Sequence, residues 1–122
     1  MRTIKIVLIS FLFAGFSLST FASKAYLGQF LYKYKAGNTY RVTVEDGEHM
    51  KWECIEGSEK GAKGEEIPQI FRVNSKVFFA TWVEKTGISI SQVIDFKNMK
   101  VYLTIIDGKE RYVFEGKVVR EK

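Results

Sequence analysis

From residue 29 onward the chain is a string of short segments in which apolar and polar residues alternate, each closed by a turn signal, and no helical stretch is long enough to cover a sheet. Alternation with period two places one set of side chains on each face of a strand. Residues 29–35 set Phe30, Tyr32 and Tyr34 against Leu31, Lys33 and Lys35, and after the turn at Ala36-Gly37-Asn38, residues 39–45 set Tyr40, Val42 and Val44 against Arg41, Thr43 and Glu45. Asp46-Gly47 is a hairpin signal leading into a strand at 49–55. Further strands are expected at 69–73, 76–84, 88–95, 101–106 and 111–120, separated by Asn74-Ser75, Lys85-Thr86-Gly87, Lys97-Asn98 and Asp107-Gly108. Residues 76–84 (KVFFATWVE) are too apolar to be half exposed and should form a central strand, with either Phe79, Thr81 and Val83 or Phe78, Ala80 and Trp82 facing inward. Residues 56–66, with three glycines among charges, are expected to be a flexible loop over the surface.

About eight strands joined by hairpin-length loops make an all-β antiparallel meander. Closure into a small up-and-down barrel is the economical way to remove its exposed edges. A barrel of this size is filled by side chains or holds one small ligand.

Ahead of this domain, Arg2 and Lys5 precede the apolar run 6–16, and Thr20-Phe21-Ala22 offers small residues where a signal peptidase cuts. Residues 1–22 therefore read as a cleavable signal peptide and 23–122 as one domain, periplasmic or secreted, with no stable membrane anchor after cleavage. A membrane span needs roughly 20 apolar residues, more than this run supplies. Cleavage removes Arg2 and Lys5, so 19 Lys and Arg become 17 against 14 Asp and Glu. The remaining basic excess is small, and the lysines alternate with apolar residues or sit at turns, which argues against a nucleic-acid partner.

A lone cysteine, Cys54, leaves the exported domain without disulfides of its own, so its core must stabilise it. Cys54 shares a strand face with Met50 and Trp52 and reads as a buried small hydrophobe, while His49, the single histidine, lies on the opposite face. Neither thiol catalysis nor a metal site is expected from one Cys and one His. No phosphate loop, paired-carboxylate motif or cofactor signature stands out. The aromatic residues are plentiful, and Tyr32 and Tyr34 with Tyr40 on the next strand would bring phenols into an interior where each needs a hydrogen-bond partner. Trp52, Trp82 and Tyr112 complete the candidate ligand-binding set. Glu84, at the end of the most apolar strand, is a candidate for a partly buried carboxylate with a proton-transfer role, although capping the hairpin beside Lys85 is the favoured account of it.

The segments FLYKYKAGNTY (30–40) and FATWVEKTGISI (79–90) resemble the calycin-type barrels of the MoaF-like group and the related phenolic acid decarboxylases, over nearly all of residues 23–122. The resemblance implies a lipocalin-like barrel with a pocket for a small aromatic or amphipathic molecule. In the decarboxylases a tyrosine pair, an arginine and a glutamate hold the substrate. Tyr32 and Tyr34 match the pair, but Glu53 stands where the arginine is expected, which would repel a carboxylate. The preferred reading is thus an exported small-molecule-binding protein, more a binder than an enzyme. The alternatives are a non-oxidative lyase or isomerase without cofactor, using Tyr32, Tyr34, Glu53 or Glu84, and an envelope interaction or inhibitor protein. A homodimer is a further partner state open to it.

Overall fold

The computed structural model describes residues 26–122, and the expected signal peptide lies outside the described residues. Nine strands form one antiparallel sheet: β1 Gly28–Tyr34, β2 Thr39–Val44, β3 Met50–Glu56, β4 Lys63–Glu66, β5 Gln69–Asn74, β6 Val77–Val83, β7 Ser89–Asp95, β8 Lys100–Asp107 and β9 Glu110–Arg120. The spatial order is β4-β3-β2-β1-β9-β8-β7-β6-β5, so the chain meanders except where β1 pairs with β9, Phe30 opposite Arg120 and Tyr34 opposite Gly116. The eight strands expected from alternation are present within one or two residues at each end. The all-β antiparallel class is correct, and the sheet curls around a single interior.

β4 is the element that the sequence did not announce, and it corrects the expectation of a flexible loop over 56–66. Lys63-Gly64-Glu65-Glu66 has no apolar alternation. It is a strand because it satisfies the free backbone edge of β3, with Met50 opposite Glu66 and Glu53 opposite Lys63. Gly64 makes the pairing fit: a Cβ there would stand 2.9 Å from Nε1 of Trp52, so only glycine lets the indole lie across β4.

Each neighbouring pair in the sheet is antiparallel, and counting from β4 round to β5 makes these two strands run in the same sense. They are the sheet's two edges and are joined only by Ile67-Pro68. β4 and β5 are therefore two halves of one interrupted strand, the first laid on β3 and the second on β6. Pro68 brings no N–H to a ladder, which suits it to the break.

The register decides the inward face of β6. Phe78 and Ala80 are fully buried and Trp82 turns inward with them, while Phe79 faces out and stacks on Phe71 with centroids 6.4 Å apart. One end of the interior is packed solid by rings. Tyr26 lies 5.5 Å from Phe78 and 6.1 Å from Phe30, and Phe96 closes against Phe30 at 5.2 Å. The Arg120 guanidinium lies 4.8 Å over the Phe30 ring and donates to the Leu27 carbonyl, capping this end. Cys54 is buried as expected, and its Sγ approaches the Glu56 carbonyl oxygen at 3.1 Å. On the outer surface the Asp46 carboxylate accepts the Glu48 and His49 amides and the His49 ring, which lowers its pKa and raises that of His49. His49 is thus engaged in its own turn, away from the interior.

Candidate functional site

Beyond the packed end the rings draw apart, because inward positions on β7 and β8 carry Ile90, Gln92, Leu103 and Ile105 in place of further aromatics. A cavity of about 340 Å³ opens there, walled by β1, β2 and β3 on one side and β6, β7 and β8 on the other. That volume falls at the lower end of small-molecule pockets, roughly 300–1,000 Å³. Its walls are mainly apolar, with Val42, Met50, Ile88 and Ile90 among them.

The floor is phenolic. Tyr32 is fully buried and shares a 3.4 Å hydroxyl contact with Tyr26. Burial pushes the Tyr26 hydroxyl up to about 12 and raises Tyr32 and Tyr34 as well, so these phenols stay protonated at neutral pH and serve as hydrogen-bonding groups. The Tyr34 hydroxyl accepts from Nε2 of Gln92 at 3.2 Å. Gln92 is only 6% exposed and lines the cavity, yet its Oε1 has no protein partner. A buried amide oxygen left unpaired costs about 1–3 kcal/mol, which makes this the least satisfied point of the wall.

The mouth is built differently. Three aromatic side chains each donate to a carboxylate: Tyr40 to Glu59 at 2.5 Å, Trp52 to Glu66 at 3.1 Å and Trp82 to Glu84 at 3.5 Å. Glu59 comes from the turn between β3 and β4, which folds over the mouth and is tied back through Asn38, whose Oδ1 contacts the Ser58 hydroxyl and the Glu59 amide at 3.5 Å. Partial burial raises the Glu84 pKa, and the charges of Glu66 and Glu59 raise it further, while the Trp82 contact opposes the shift. None of the residues lining the cavity is Lys, Arg or His.

Of the residues proposed from sequence, Tyr32, Tyr34, Tyr40, Trp52, Trp82 and Glu84 line this one cavity. Glu53 does not: it is exposed on the outer face of β3, opposite Arg41 and Lys63, because alternation from inward Trp52 and Cys54 turns it out. It can neither clamp nor repel a ligand inside. Tyr112 has the inward register of Ile105, which it faces, but lies past the rim, 43% exposed, with its hydroxyl bonded to Glu110. Gln92 and Glu59 also line the cavity and were missed as site residues, while Glu66, which with Glu65 could correspond to the glutamate of the resemblance, bonds Trp52 from outside the lining. Gln92 carried a usable signal, being polar on a strand face otherwise made of Ile90 and Ile94. Glu59 carried none, since its placement depends on a turn that alternation does not reveal.

The model of a family described as MoaF-like matches residues 28–119, which takes in the sheet from β1 through most of β9. No curated protein matches the chain. Among solved structures, a crystal structure from Burkholderia vietnamiensis, provisionally described as a beta-lactamase, superposes with a TM-score of 0.72. The match covers 77% of this chain and 92% of that one at 20% identity, a likeness of fold alone.

Proposed function

The chain belongs to the MoaF-like family, and from that premise we propose that it is a small-molecule-binding protein whose ligand sits in the cavity between Tyr34 and the mouth. A mainly apolar cavity of about 340 Å³, with polar Gln92 in its wall, beside a core end packed solid by rings is the observation that carries this reading. A core meant only to be stable would fill such a space or leave it without polar groups. The ligand accordingly has an apolar, aromatic or branched body.

The neutral, environment-sensitive dye prodan tests the cavity directly. Its emission is expected to shift to the blue with micromolar affinity, and the Ile105→Trp variant, which thrusts an indole into the space, is expected to lose most of that response while keeping its β-sheet circular dichroism. A folded wild-type protein that leaves the dye in a water-like environment would remove the proposal.

Export completes the reading. Arg2, Lys5, the apolar run 6–16 and the Thr20-Phe21-Ala22 site support cleavage after Ala22. Expressed with its own N-terminus in a bacterial host, the protein is expected in the envelope fraction with Ser23 as its first residue. Recovery of the full-length chain from the cytoplasm would contradict this.

A further inference from the structure

The cavity has two unlike poles. Its inner pole is Gln92 beside Tyr34, and its outer pole carries two aromatic and carboxylate pairs, Tyr40 with Glu59 and Trp82 with Glu84, next to Trp52, whose partner Glu66 lies outside the lining. Gln92 on β7 stands four positions after Ile88, the residue just before that strand, whose carbonyl accepts the Glu84 amide at the rim. The backbone at Gln92 is therefore roughly 13 Å along the strand direction from that at Ile88. Glu59 and Glu84 line the cavity with no basic residue among its lining, while Arg41, Lys51, Lys63 and Lys85 lie with Glu66 in a separate outer groove that Glu84 also borders. Indole and phenol faces beside Glu59 and Glu84 add the quadrupole that attracts cations.

Resting on the small-molecule reading above, we propose that the ligand is an organic cation: an amine whose ammonium group lodges among Glu59, Glu84 and the rings of Tyr40, Trp52 and Trp82, and whose apolar body reaches inward between Ile90 and Ile105. A metal ion is a poorer match, because no group of three or more His, Cys, Asp or Glu among the described residues is arranged to hold one. An anionic ligand is opposed at the mouth by the same carboxylates that favour the amine. The sign of charge thus separates this protein's ligand from the carboxylate substrates that the sequence resemblance brought into view.

Three probes of matched size decide the matter: 3-(4-hydroxyphenyl)propylamine, the neutral 3-(4-hydroxyphenyl)propan-1-ol and the anionic 4-(4-hydroxyphenyl)butanoate, titrated by tryptophan fluorescence and by displacement of prodan. The amine is expected to bind at least about ten-fold more tightly than the alcohol, the difference of one hydrogen bond to a charged group, and the carboxylate more weakly than either. In the double variant Glu59→Gln with Glu84→Gln, the ratio of amine to alcohol affinity is expected to fall towards one. Equal binding of amine and alcohol, tighter binding of the carboxylate, or prodan binding with no response to any of the three would overturn the amine assignment and leave the binding cavity standing. Failure of prodan itself to bind would remove both. A ratio unchanged in the double variant, with the protein folded, would also overturn the assignment.

Discussion

Gly116→Val is expected to lower the melting temperature of the domain by about 15 °C or more, and to leave part of the protein unfolded at 37 °C. A Cβ at this position would stand 2.4 Å from the Lys33 carbonyl oxygen and 2.9 Å from the Tyr34 Cα, both backbone atoms of β1 that no rotamer change can move aside. Gly116 is where β9 pairs with Tyr34 of β1, so accommodating the valine means prising apart the junction that joins the two halves of the sheet. Overpacking of a core costs about 1–3 kcal/mol, and collision with backbone belongs at or above the top of that range. At about 4–8 °C per kcal/mol for a domain of this size, thermal unfolding followed by circular dichroism resolves the effect easily. A shift of only a degree or two would mean that β1 and β9 are not held as closely as described.

Phe78→Ala is expected to cost about 3–5 kcal/mol, while Phe71→Ala is expected to change stability by at most about 0.5 kcal/mol. Phe78 is fully buried between Tyr26 and Phe96, so truncation leaves a hole surrounded by rigid rings that cannot collapse into it. Phe71, 61% exposed, stacks on Phe79 on the outer surface and gives up little when shortened. Urea denaturation of both variants checks the difference. Equal losses would mean that the inward face of β6 is not the one carrying Phe78, Ala80 and Trp82.

That face illustrates what a sequence of this kind reveals. Eight strands were legible because half-buried antiparallel strands must alternate, and Asp46-Gly47 and Asp107-Gly108 mark turns whatever surrounds them. Residues 76–84 were legible as central because they are apolar on both faces, yet for the same reason their two faces could not be told apart; the outward Phe79 has its own apolar neighbours, Phe71 and Val93, across the ladder. β4 was hidden because its pairing is a matter of backbone and its side chains are Lys and Glu. The cavity shows the same division. Tyr32, Tyr34, Tyr40, Trp52 and Trp82 could be placed by counting residues in twos, but Glu59 reaches the mouth through a turn, and Glu66 meets the Trp52 indole from outside the lining only because Gly64 lets that ring cross the neighbouring strand. Tyr112 shows the limit of counting: its parity is right, but parity says nothing of where along its axis the interior ends.

The interrupted strand at Ile67-Pro68 has a mechanical meaning. Followed as a ring, the molecule has two seams of opposite kind. At β1 and β9 the covalent chain is discontinuous and hydrogen bonds bridge it; at β4 and β5 the hydrogen-bonded ladder is discontinuous and the covalent chain bridges it. A hoop closed in this way resists the two ways of opening unequally. Parting the first seam breaks a ladder of five residue pairs, whereas widening the second breaks no ladder and turns only a few backbone torsions on either side of one proline. The compliance of the hoop is therefore concentrated beside β4, the strand that carries Glu66 and underlies Trp52, and any widening of the ring is felt first at the wall of the mouth.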